Sequence, residues 1–183
     1  ENRKFDSIWP VGLSGTAEIG NPWPGGTTPA EIYAACSEAI AIQMAMTNTI
    51  LEADKPRLFH FTLDGETMAA YQAGRLVVPD DVIIVWEDDG DGTMRGLPGE
   101  SDDHPHGVNY HLAYQNNTGT KQGAAHTVSP EQINSEFQQI VDAGATEFLM
   151  VNVSELRDVV METRMIMDIA WRPESAFNEG KQG

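Results

Sequence analysis

The run Val82-Ile-Ile-Val-Trp86, followed at once by Glu87-Asp88-Asp89-Gly90-Asp91-Gly92, constrains this chain more than any other feature. An uninterrupted apolar run leaves no polar face. The segment therefore reads as a strand covered on both sides, and such strands belong to parallel sheets flanked by helices. The acids that follow leave the carboxyl end of that strand, where parallel α/β folds gather the residues that meet a ligand.

The remaining punctuation agrees with a βα series. Ile8 to Leu13 reads as a short strand running into a loop rich in Gly and Pro. Thr28, with Pro29 at the first helical position and Glu31 at the third, opens a helix predicted to reach about Glu52 and to be largely buried. Arg57 to Leu63 is a second strand; Asp64 caps a helix from Gly65 to Ala73, which Gly74 closes. Residues 87–106 form a polar loop, Val108 to Tyr114 a strand, and 115–129 a second polar loop. Ser129, Pro130 and Glu131 open a helix to about Ala143, which Gly144 closes, Phe148 to Val153 is a further buried strand, and a last helix runs from about Glu155 to Ala170. That makes five strands in one α/β segment spanning 1–183, as parallel βα units of a TIM-like (β/α)8 barrel or of an open doubly wound sheet.

Charge narrows the partners. With 11 basic against 28 acidic residues the formal charge is −17, which repels a phosphate backbone and excludes nucleic acid as the expected ligand. No apolar run approaches the ~20 residues that span a bilayer. The lone Cys36 sits among Ala34, Ala35, Ala39 and Ile40 and reads as a buried helical thiol. The chain opens at Glu1 without Met, so the start is expected to be processed, trimmed or internal to a longer polypeptide.

Polar groups at predicted strand ends carry the candidate chemistry. In the acidic burst one carboxyl can be raised in pKa while its neighbour stays ionised, which suits acid/base work; the plain alternative is a solvated turn. The burst imitates half of a calcium loop, but position twelve is Pro98 where Glu is required. His104 and His106, beside Asp102 and Asp103, lack metal-ligand spacing and read as an exposed flexible loop, so no metal site is assigned. Asn109-Tyr110-His111 lies on a strand, either as a satisfied core pair or lining a sugar pocket. Asn152 needs partners inside so apolar a strand, or it faces a ligand; Glu155 follows it. Dinucleotide, P-loop and serine-hydrolase motifs do not occur. The sequons Asn116-Asn-Thr118 and Asn152-Val-Ser154 permit glycosylation.

Tyr71-Gln-Ala-Gly74, Val78-Pro-Asp-Asp-Val82, Val85-Trp-Glu-Asp-Asp89, Met94-Arg95, Leu97-Pro98, Gly107-Val-Asn-Tyr-His111 with Tyr114, Val151-Asn-Val153 and Met167-Asp-Ile-Ala-Trp171 fall in an order that resembles glycoside hydrolase family 115, the xylan α-1,2-glucuronidases. The resemblance implies part of a (β/α)8 catalytic barrel within a larger enzyme. It also implies an inverting reaction, without a cofactor, that removes glucuronic acid side chains from xylan or a related acidic polysaccharide. Two carboxyls ~6.5–9.5 Å apart perform such a reaction. Asp88 and Asp89 are the first candidates for catalysis, followed by Glu136 and Glu155; Arg95, Tyr110, His111, Tyr114 and Asn152 are candidates for substrate binding. The chain departs from the family pattern at Gly90, where Asn is expected, and at Asn109, where Tyr is expected. It departs again at Ser14-Gly15-Thr16-Ala17-Glu18, in place of Arg-Gly and acids, and at Ser154-Glu155, in place of Gly-Asp.

Five strands fill only part of an eight-stranded ring, so further chain segments or another subunit are expected to complete it. The resemblance favours a secreted or periplasmic protein. Two rival functions stand beside hydrolysis: a barrel module that has lost turnover but keeps a glycan-binding or structural role, and an unrelated metal-dependent hydrolase using Asp88, Asp89, His104 and His106.

Overall fold

A computed structural model describes residues 5–13, 24–112, 128–153, 156–173 and 177, the Glu66 side chain excepted. The elements run β1 (Ile8–Pro10), α1 (Pro29–Ile50), β2 (Leu58–Leu63), α2 (Gly65–Gln72), β3 (Val82–Glu87), β4 (His106–His111), α3 (Pro130–Asp142), β5 (Phe148–Asn152) and α4 (Val160–Trp171), the last preceded by a 3-10 turn, Leu156–Val159. The strands are ordered β1-β2-β3-β4-β5 in one sheet, which is their order in the chain. A doubly wound sheet reverses its order at a switch point, whereas a barrel adds each strand beside the last, so these are consecutive βα units of an α/β barrel. The chain divides into two compact units, Glu1–Val85 with Asp103–Pro105, and Trp86–Asp102 with His106–Gly183.

In the first unit β1 pairs in parallel with β2, Trp9 opposite Phe59. β2 turns Phe59, Phe61 and Leu63 inward, the alternation expected of a half-covered strand. After β1 the backbone reaches φ 117° at Gly12, where a Cβ would lie 2.6 Å from the Phe61 ring. The Gln43 amide on α1 holds both polar groups of that glycine: Gly12 N–H donates to Oε1 at 2.7 Å, and Nε2 donates to the Gly12 carbonyl at 3.0 Å. Gln43→Ala removes two partly buried hydrogen bonds and is expected to cost about 1–3 kcal/mol, read as faster hydrogen exchange after β1.

The Thr28 hydroxyl accepts from Glu31 N–H while the Glu31 carboxylate accepts from Thr28 N–H at 2.8 Å, the reciprocal box that starts α1. The bonds that the Thr28 N–H and hydroxyl donate to the Glu31 carboxylate lower its pKa. The helix was expected to be largely buried, but only Cys36, Ile40 and Met44 are, and Ile42, Met46 and Ile50 stand exposed. Its apolar residues surround the axis, so a single i, i+4, i+8 stripe packs inward. Cys36 is the buried helical thiol the sequence suggests, its pKa pushed up chiefly by burial. α2 is capped by Asp64, whose carboxylate accepts from Thr67 N–H at 2.8 Å, and ends at Gly74 with φ 66°.

In the second unit β4 pairs in parallel with β5, Gly107 opposite Phe148 and His111 opposite Asn152. Ser129 caps α3, which buries Ile133, Phe137 and Ile140 at helical spacing. β5 was expected to be buried. It is not: no residue of Phe148–Asn152 is fully covered and Met150 is exposed, because β5 is the last strand in the sheet order.

The histidines correct the sequence reading most clearly. His106 is the first residue of β4, 5 % exposed, with Nδ1 accepting from Trp86 Nε1 at 3.2 Å and Nε2 3.5 Å from the Asp102 carboxylate. His104 sits edge-on to Tyr71, the phenol oxygen 3.1 Å from Nδ1, and its Nε2 is 3.3 Å from the Val78 carbonyl. Both are held by specific partners and neither stands in an exposed loop. No group of three metal-ligating side chains occurs among the described residues. No helix there is long and apolar enough to cross a membrane.

Candidate functional site

Alternation along β4 sorts the site. Tyr110 has no exposed surface; its ring meets Phe137 of α3 edge-to-face at 5.1 Å, and its hydroxyl donates to the Gly92 carbonyl at 2.8 Å. Tyr110, a candidate for substrate binding in the sequence, therefore faces the helical layer with its ring against α3. Burial, with the nearby charges of Asp88, Glu136 and Asp89, pushes its pKa far above the ordinary tyrosine value. Asn109 and His111, one residue either side, point to the opposite face. The register sets Asn152, an exposed residue, on that face beside His111.

The acidic burst is a tight turn after β3, with Gly90 at φ 86° and Gly92 at φ 80°, where a Cβ is disfavoured. The Asp89 carboxylate accepts from Asp91 N–H at 2.8 Å and Thr93 N–H at 3.1 Å, so it builds its own turn. Asp88 turns inward and is 1 % exposed. Its Oδ1 is 2.5 Å from His111 Nδ1 and accepts from Gly90 N–H at 3.2 Å, while Oδ2 accepts from His111 N–H at 3.0 Å. Helix α3 braces the turn from outside: Glu136 accepts from Met94 N–H at 3.0 Å, and Gln132 Nε2 donates to the Asp91 carbonyl at 3.0 Å. Glu136, a candidate base in the sequence, is thus committed to backbone support. Gln132, one turn earlier, escaped notice although its i, i+4 spacing from Glu136 marks it.

Asp88 fixes the chemistry of His111. A carboxylate only accepts, so Nδ1 carries the proton toward Asp88 and Nε2 is left as the exchanging nitrogen. Burial works against the imidazolium, but the hydrogen bond and charge of Asp88, with Glu87, outweigh it and raise the His111 pKa above the ordinary value, Arg95 pulling the other way. Glu87 ends β3 between two partners: Asn109 Nδ2 donates to Oε1 at 3.2 Å, and Arg95 Nη1 lies 3.9 Å from Oε2. The second unit thus carries a chain from Arg95 through Glu87 to Asn109, and on the same β4 face an imidazole held toward its cationic form. Such a face suits a ligand with both a carboxylate and hydroxyls. Tyr114 and Glu155, the remaining candidates, lie outside the described residues, as do the whole of the Asn116 sequon and Ser154 of the other.

Residues 1–182 match the family model described as Glycosyl hydrolase family 115. Among solved structures the chain is similar to one described as a novel family GH115 4-O-methyl-α-glucuronidase with specificity for decorated arabinogalactans. Identity is 24%, the TM-score is 0.77, and the match covers 95% of this chain and 23% of that one. The likeness is one of fold, and the chain spans about a quarter of that neighbour's length. No curated protein matches it.

Proposed function

Because the chain belongs to glycosyl hydrolase family 115, we propose that it supplies part of the sugar-binding wall of a barrel that removes glucuronic acid side chains from an acidic polysaccharide, xylan or a relative. The observation that carries this reading is the Asp88–His111 pair, buried on the Asp88 side and opening at His111 at the carboxyl end of a parallel strand. In it His111 Nε2, with Arg95 nearby, meets the uronate carboxylate, and Asp88, buried and bonded to His111 through both of its oxygens, is a positioning residue. Asp89 and Glu155 remain the acids proposed for proton transfer in an inverting reaction that needs no cofactor. Further chain segments or a second subunit complete the ring, and a secreted or periplasmic location suits a polymer substrate.

Release of glucuronic acid from an aldouronic oligosaccharide by the natural full-length protein tests this. His111→Ala is expected to lower kcat/KM at least a hundredfold. Asp89→Asn keeps a side-chain oxygen for the turn, so loss of turnover with the fold intact assigns Asp89 a chemical role. Full activity in both variants overturns the reading. The second reading, a module that binds glycan without turning it over, is favoured by the commitment of the Asp89 carboxylate to its own turn. Glycan binding with no release by the unmutated protein would establish it.

A further inference from the structure

We propose that Asn109 reads a free hydroxyl of the bound sugar and thereby selects against a methyl ether at that position. The inference rests on the uronate reading above and specifies which part of the substrate this face recognises.

Asn109 is 5 % exposed, and its two amide ends have different fates. Nδ2 donates to Glu87 Oε1 at 3.2 Å, whereas Oδ1 is buried without a hydrogen-bond partner among the described residues. The orientation is dictated chemically: a carboxylate offers acceptors alone, so the amide must turn its NH2 to Glu87 and its oxygen away. Arg95 on the other Glu87 oxygen holds that carboxylate in place. A buried acceptor left unmade destabilises by ~1–3 kcal/mol, which a ligand that donates a proton relieves. Asn109 lies two residues before His111 on one strand, hence on the same face.

The ligand that satisfies both residues carries an anion for His111 and a hydroxyl for Asn109. Asn109 offers a directional acceptor. A sugar hydroxyl can donate to Oδ1. A methyl ether has no proton to give, and its methyl group would bury Oδ1 without a partner. Sites built around such a bond discriminate strongly against analogues that lack it.

The test is a binding cycle on the natural full-length protein, using glucuronate and its 2-, 3- and 4-O-methyl ethers against the unmutated protein and Asn109→Leu. The expected result is that one ether binds the unmutated protein about tenfold or more weakly than glucuronate, and that this penalty disappears in the variant. Melting temperature verifies folding, and Asn109→Ala replaces Asn109→Leu should the latter not fold. If the unmutated protein binds glucuronate and the pattern across the ethers is the same in the variant, the role of Asn109 is overturned and the uronate reading stands. If glucuronate does not bind the unmutated protein at all, both fall.

Discussion

Asp88→Ala is expected to cost about 1–3 kcal/mol at pH 6, because it removes the buried acceptor of a pair whose His111 side stays partly open. Three donors lose their acceptor together: His111 Nδ1, His111 N–H and Gly90 N–H. The loss has a defined pH dependence. The His111 pKa is raised in the folded protein, so its contribution is complete below the unfolded histidine value of ~6.5 and fades as pH rises through the folded value. The destabilisation should therefore shrink by pH 9 without vanishing, since the two backbone bonds do not titrate. Native-state hydrogen exchange at the amides of β4 measures it; a cost below about 1 kcal/mol at pH 6 contradicts the burial and charge assigned to the pair.

Gly107→Ala should be at least as damaging, for a steric reason. A Cβ on Gly107 would lie 2.6 Å from Phe148 Cβ and 2.9 Å from the Phe148 carbonyl carbon, with the carbonyl oxygen closer still. None of these atoms is the tip of a flexible side chain, so β4 and β5 must separate where they are paired. The expected cost lies at or above the upper end of the ~1–3 kcal/mol typical of overpacking. Exchange should accelerate at the amides that bond β4 to β5, including Leu112 N–H, which donates to Asn152 at 3.0 Å. Gly144→Ala is the control: its φ is 75° but nothing lies within 4 Å, so only the ~1–2 kcal/mol backbone penalty is expected. Equal effects at the two glycines would contradict the close approach of the strands.

Local chemistry was legible before coordinates. Thr28-Pro29 and Ser129-Pro130 start helices where they should, Gly74 and Gly144 stop them, and the apolar run at 82–86 is a strand covered on both faces. What failed depends on partners distant in the chain. His106 looked exposed because its neighbours are polar, yet its partner Trp86 lies 20 residues away, and Tyr71 lies 33 from His104. β5 looked internal because its composition is that of a central strand, while its place at the end of the sheet order is a property of topology. α1 looked buried because apolar content without a period does not say which stripe packs.

At the site, the position of the acidic burst was readable and the division of labour within it was not. Asp88 and Asp89 are adjacent acids; a one-residue change of direction sends one to His111 and the other into its own turn. Tyr110 and Asn109 part to opposite faces of β4 for the same reason, and period-two alternation from His111 would have paired Asn109 with it.

The central claim is that His111, held toward its cationic form by Asp88, faces the carboxylate of a bound uronate. Titrating the His111 ring by NMR in the natural full-length protein, alone and saturated with glucuronate, tests this directly, with glucose as the uncharged control. The account predicts a pKa already above the ordinary histidine value, a further rise with glucuronate, and no such rise with glucose. An ordinary pKa in the free protein, or a ring that titrates identically with and without bound glucuronate, would contradict it.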